Sequence, residues 1–154
     1  MVNGLYHHLK QLWKKPDREL LHEKMIAWRA GQSIEEVEKP LRLDRARALG
    51  YKAKKGFFVV RVRLLRGGRK RTRHKHGRKS RKQHTRKILK MSYQWVAEVR
   101  AERKYKNLEV LNSYLLGKDG KHYFYEVIMI DPERPEIKKD KAYSWISSDK
   151  NKGR

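Results

Sequence analysis

The 154-residue sequence contains no cysteine, few acidic residues and no long apolar run. Without cysteine it can form neither a disulfide nor a thiolate metal site, a usage that fits a cytoplasmic protein. No apolar stretch approaches the roughly 20 residues that cross a bilayer, so no membrane is expected as partner. Met1 to Trp13 lacks the basic leader, apolar segment and small-residue cleavage pattern of a signal peptide, and reads as mature protein. The shortage of acid has the largest consequence. Against 17 Asp and Glu stand 41 Lys and Arg, for a formal net charge of +24. Such a chain repels itself until something anionic neutralises it, and with a membrane set aside the candidate partners are nucleic acid, which so large an excess favours, and an acidic protein. A hydrophobic fraction of 38% is also low for a chain folding on its own resources, so part of its order is expected to come from that partner.

The length suits one domain, residues 1–154. Leu5, Leu9, Leu12 and Trp13 recur at helical spacing, with Asn3 as N-cap. After Pro16, Leu21, Met25 and Trp28 continue the pattern until Gly31, so residues 1–31 are read as a pair of helices. Ser33 to Glu38 fits either a short edge strand or a linker ending at Pro40. Asp44 to Gly50 has a capping residue at one end and a stop glycine at the other, enough for one or two helical turns. Phe57 to Leu65 is the clearest strand: Phe58, Val60, Val62 and Leu64 share one face, and Phe57, Val59, Arg61, Arg63 and Leu65 the other. Ser92 caps a helix reaching about Tyr105, with Trp95, Val96 and Val99 expected inward and Glu98, Glu102 and Arg103 outward. Leu108 to Leu116 and Tyr123 to Ile130 form a hairpin, its turn drawn from Gly117-Lys118-Asp119-Gly120, whose glycines offer positive φ. Residues 133–154, polar apart from Ile137, Tyr143, Trp145 and Ile146, are expected to lie over the surface.

Arg66 to Lys90 follows no periodicity. Of its 25 residues 13 are Lys or Arg, three are His and none is acidic. It cannot form a core, and as an out-and-back excursion it reaches roughly 40 Å at about 3.3 Å per residue. Gly67-Gly68 lets the backbone bend between Arg66 and Arg69-Lys70-Arg71, and guanidinium groups meet phosphate through paired hydrogen bonds. Gly50-Tyr51-Lys52-Ala53-Lys54-Lys55-Gly56 adds lysines just before the arginine-bearing strand, so a single continuous basic surface is expected. Its phosphate ligands are Lys52, Lys54, Lys55, Arg61, Arg63, Arg66, Arg69, Lys70, Arg71, Arg73, Lys75, Arg78, Lys79, Arg81 and Lys82. A run of charge is often only a solvated face, but that applies to mixed signs. Here the sign is single, and residues outside 66–90 still hold 28 basic against 17 acidic side chains. Trp95 and Phe57 are assigned to the core by their spacing, whereas Tyr51 and Trp145 fit core packing or base stacking equally.

Catalysis finds little support. His74, His76 and His84 sit among cations that repel a divalent metal. Glu102-Arg103-Lys104, Asp119-Gly120-Lys121 and Glu136-Ile137-Lys138 have the local spacing of a nuclease carboxylate and lysine, yet arise about as often as chance places them. No GxxxxGK[ST] phosphate loop occurs. Neither cofactor nor small-molecule substrate is expected.

Several motifs together are more specific. Leu12-Trp13-Lys14-Lys15, Gly50-Tyr51-Lys52-Ala53-Lys54-Lys55-Gly56, Arg61-Val62-Arg63, Arg66-Gly67-Gly68-Arg69-Lys70-Arg71, Leu111-Asn112-Ser113-Tyr114 and Glu126-Val127-Ile128-Met129-Ile130-Asp131-Pro132 resemble, in order and spacing, large-subunit ribosomal protein fifteen of the archaeal and eukaryotic type. The resemblance implies an α+β fold with helices on a mostly antiparallel four-stranded sheet of order 1-2-4-3. It also implies a non-catalytic role, with large-subunit ribosomal RNA and neighbouring large-subunit proteins as partners. Relatives of that type run on into a further basic segment, beyond the point where this sequence ends at Asn151-Lys152-Gly153-Arg154. The competing reading is a free-standing basic protein that coats DNA or regulates translation. Duplex DNA competing as well as ribosomal RNA would favour it.

Overall fold

The computed structural model describes residues 2–70, 76, 86–87 and 89–147. Two helices, α1 (Leu5–Lys14) and α2 (Arg18–Ala30), lead into strand β1 (Ile34–Val37). Short helix α3 (Leu43–Ala48), strand β2 (Phe57–Leu65) and two-residue strands β3 (Arg69–Lys70) and β4 (Arg86–Lys87) follow. Helix α4 (Tyr93–Lys104), strands β5 (Glu109–Lys118) and β6 (His122–Ile130), helix α5 (Pro135–Lys138) and a 3-10 turn, Ser144–Ser147, complete the elements of the described residues. The main sheet has the order β1-β2-β6-β5, so its last strand in sequence lies between its second and third, as the resemblance implied. Every pairing in it is antiparallel.

Helices cover both faces of this sheet, so the inner strand β6 is buried continuously from Phe124 to Ile130. On one face Met25 and Trp28 of α2 and Ala46 of α3 pack against Val59, Tyr114, Phe124 and Ile128. On the other, α4 meets Val60, Val62, Leu64, Tyr125, Val127 and Met129. The α4 stripe is rotated from its expected phase. Ala97 and Ala101 are fully buried, and these small side chains let the helix lie close on the sheet. Trp95, two residues and about 200° from Ala97, is consequently 49% exposed and lies outside the core that its size suggested.

Helix ends follow local chemistry. The Asp17 carboxylate accepts from Glu19 N and Leu20 N, and Ser92 Oγ accepts from Trp95 N at 3.2 Å. Asn3 does not cap α1; Gly4 takes that place without a side-chain bond. Helix α1 also buries none of its leucines, and Leu5 and Leu12 are about two-thirds exposed. The hairpin strands run further than expected, leaving Asp119-Gly120-Lys121 as the turn. Gly117 lies within β5, and no residue of this turn has positive φ. The Asp119 carboxylate shapes it instead, accepting from Lys121 N at 2.7 Å and His122 N at 2.5 Å.

The segment after residue 133 is the largest departure. Ile137, Tyr143 and Ile146 are buried with Ile130 in a third cluster at one end of the sheet, against Phe57 and Leu111. The glycines around residues 51–55 belong to this contact. Gly56 has φ +93°, and a Cβ there would stand 2.7 Å from Ile137 Cγ1. The carbonyl of Gly50, at φ +99°, accepts from the Tyr143 hydroxyl at 2.5 Å. Gly67 has a similar φ of +98° with nothing near its Cβ position.

One polar row crosses the α2 face. Glu35 of β1 is registered with Arg61 of β2, Arg61 with Glu126 of β6, and Glu126 with Tyr114 of β5. The Arg61 guanidinium donates to Glu35 Oε2 at 2.9 Å. Fully buried Glu126 accepts from the Tyr114 hydroxyl and, at 3.2 Å, from Leu41 N. Burial pushes the Glu126 carboxyl above its ordinary range despite those hydrogen bonds. A carboxyl with a raised folded pKa holds its proton more tightly folded than unfolded. Its contribution is therefore most favourable at low pH and declines as pH rises from about 4.3 through the folded value.

Two stability series test these assignments. Gly56→Ala is expected to lose about 3 kcal/mol, combining left-handed strain with overlap, and Gly67→Ala about 1 kcal/mol from strain alone, both read by urea denaturation. Equal losses would remove the packing role of Gly56. Glu126→Ala leaves Leu41 N and the Tyr114 hydroxyl without their acceptor and is expected to lose about 3 kcal/mol. Glu126→Gln retains an acceptor, loses less, and flattens the decline in stability between pH 4 and pH 8.

Candidate nucleic-acid interface

The sheet distributes the expected phosphate ligands over three places. At the end where β2 begins, Lys52 and Lys54 converge on Asp140, with Nζ to Oδ2 distances of 2.9 and 2.7 Å. Lys54 also donates to the Glu136 carbonyl at 3.1 Å, and the Lys52 ammonium lies 4.8 Å from the Tyr143 ring centre. Hydrogen bonds from the two lysines hold the Asp140 carboxyl well below the usual carboxylate range, and the bond to Asp140 raises the Lys52 ammonium. These two cations clamp the C-terminal segment, while Lys55 beside them is exposed.

Arg61 and Arg63 occupy the middle and turn inward beneath α2. Arg61 is half-buried, 4.9 Å from the Trp28 ring centre, besides its pairing with Glu35. Arg63 donates to the Trp28 carbonyl at 3.1 Å and to the Arg29 carbonyl, meeting the C-terminal end of α2 where cations are favoured. The strand alternation placed both side chains on the right face but could not show that a helix covers it.

At the far end of β2, exposed Arg66 lies 5.1 Å over the Tyr123 ring and donates to the Asp119 carbonyl. Positive φ at Gly67 then turns the chain into β3, and the Gly67 carbonyl accepts from the Tyr93 hydroxyl at 2.6 Å. Half-buried Arg69 pairs in register with Lys87, and exposed Lys70 with Arg86. The excursion thus opens from an antiparallel ladder that its lack of periodicity did not suggest. Arg71, Arg73, Lys75, Arg78, Lys79, Arg81 and Lys82 lie outside the described residues, as do His74 and His84.

The expected continuous surface is therefore divided. Nine residues of β2, at about 3.4 Å each, put Lys55 and the Arg66 to Lys70 segment about 30 Å apart, with Arg61 and Arg63 withdrawn between them. Of the ambiguous aromatics, Tyr51 is core, edge-on to Phe57, whereas Trp145 remains 40% exposed with its indole N–H on the Ala142 carbonyl. Sequence reading also passed over Lys10, Arg42 and Arg45, which the fold gathers beside α3. The alternation of Arg and Ala in α3 was visible; that α1 packs across it was not.

A family model described as Ribosomal L15 matches residues 4–154. The chain belongs to the ribosomal L15e family. It is 46% identical over 159 residues to the large ribosomal subunit protein eL15 of Methanocella arvoryzae, a match covering all of this chain and 81% of that protein. The L15e assignment agrees with the α+β class and with the strand order. Within this L15e chain, Asp140 is the acid with which Lys52 and Lys54 both pair. Asp140→Asn is expected to release both lysines, tightening binding to RNA and steepening its log-affinity against log-salt slope by about one to two. An unchanged slope in a filter-binding titration would show that the two lysines stay committed to the fold.

Proposed function

We propose that this L15e chain is a structural, non-catalytic constituent of the large ribosomal subunit that binds and packs its RNA by neutralising phosphates, in the cytoplasm and beside other large-subunit proteins. The supporting observation is the placement of exposed cations at both ends of a rigid sheet, about 30 Å apart, on a chain of net charge +24. Charges so placed reach two separate stretches of phosphate, and a rigid spacer between them fixes the distance between the stretches. Lys55 supplies one end; Arg66, Arg69, Lys70 and the excursion as far as Lys90, including Arg71, Arg73, Lys75, Arg78, Lys79, Arg81 and Lys82, supply the other. Arg61 and Arg63 serve this function indirectly, by keeping α2 on the sheet.

Six to ten phosphate contacts predict a loss of about 10³ to 10⁵ in affinity for large-subunit RNA between 50 and 200 mM salt. Arg69→Ala combined with Lys70→Ala should lower the salt slope by about two. Arg61→Ala should lower stability and leave the slope unchanged. A salt-independent affinity would remove phosphate neutralisation as the mechanism.

A further inference from the structure

A cleft of about 650 Å³ opens between α1, α3 and the outer strand β5, away from both cationic ends of β2. His7 and Lys10 of α1, Arg42 and Arg45 around the start of α3, and the ring of Tyr6 line it, with Asp44 as its only acid among the described residues. Its size suits one nucleotide. Its charge favours an anion, and its aromatic wall offers a stacking surface: Tyr6 is 43% exposed, with the Arg47 guanidinium 5.8 Å from its ring centre.

A second observation concerns hydrogen bonding. The Asp44 side chain is only 8% exposed and its Oδ2 lies 3.8 Å from Arg42 Nη2. Asp44 Oδ1 and Arg42 Nε are buried and make no hydrogen bond to any described residue. One acceptor and one donor, on two side chains that line the cleft, therefore lack a described hydrogen-bond partner, an arrangement that folded proteins rarely leave unmet. Each RNA base carries a donor and an acceptor next to one another on its Watson–Crick edge, and in a duplex that edge is already occupied. We propose that this cleft takes a single unpaired RNA nucleotide, its base against Tyr6 with its Watson–Crick edge toward Asp44 and Arg42, and its phosphate near Lys10 and Arg45. Both unpaired atoms lie beneath the cleft surface, so the base meets them after the two side chains change rotamer, a usual adjustment on binding. The site selects for the unpaired state over base identity, because all four bases offer the required pair of groups. It rests on the RNA-binding function proposed above and adds to it a feature that recognises structure.

The test compares two RNA duplexes of equal length, one perfect and one carrying a single-nucleotide bulge, binding to the full chain by fluorescence anisotropy. The bulged duplex is expected to bind about tenfold more tightly, the scale of one stacked base. Tyr6→Ala, which removes a partly exposed ring from a helix with no buried residue, should erase that preference and leave affinity for the perfect duplex within about twofold, with an unchanged urea midpoint confirming that the fold is kept. Equal binding of the two duplexes, or a preference that survives Tyr6→Ala, overturns the inference and leaves ordered water as the partner of Asp44 and Arg42. If neither duplex binds in a salt-dependent way, RNA binding itself fails and the cleft assignment fails with it.

Discussion

The cross-strand row Glu35, Arg61, Glu126 and Tyr114 is the interaction on which the α2 face depends. A buried carboxylate is costly unless its oxygens are satisfied, and Glu126 meets that condition by drawing in Tyr114 from one side and the backbone of Leu41 from the other. The second contact fixes the chain between β1 and α3, and with it the height at which α3 sits over the sheet. Arg61 adds a positive charge to the same row and presents its guanidinium to Trp28, so α2 rests on charge as well as on Met25 and Trp28. Such a row works only in one register, because a one-residue slip of β6 would send Glu126 to the α4 face.

A strongly basic chain must also offset the repulsion among its own cations, and three acids of this fold do so. Asp140 holds Lys52 and Lys54, Glu35 holds Arg61, and Asp119 meets Arg29 at 3.3 Å. Each pairing ties together segments distant in sequence: the loop before β2 to the C-terminal segment, β1 to β2, and α2 to the hairpin turn. These three acids thus act as internal clamps between elements. Gly50 and Gly56 belong to the same clamp, since their left-handed backbone and missing side chains admit Tyr143 and Ile137.

Much of this was legible beforehand. β2 has the bounds that the alternation from Phe57 to Leu65 predicts, and Ser92 caps α4 as its spacing indicates. The misread elements share a physical cause. Trp95 was placed inside because a large apolar side chain on a helix ordinarily faces the core, but two alanines allow closer approach to the sheet and take that face. The leucines of α1 have the right period, but the helix meets mainly short α3, so Leu9 is half-buried while Leu5 and Leu12 stay exposed. Residues 133–147 are too polar on average to announce a core, yet three of their side chains fill the end of the sheet.

The sequence by itself determined the charge, the three long strands of the main sheet and the family, because these are carried by composition, by apolar runs and alternation bounded by turn residues, and by ordered motifs, all local along the chain. Only the tertiary structure decided which cations face outward. Arg61 and Lys70 look alike in a list of basic residues; one is closed beneath α2 and the other stands on an exposed ladder. That difference arises from the pairing of strands and the seating of helices distant in sequence, and no local pattern records it.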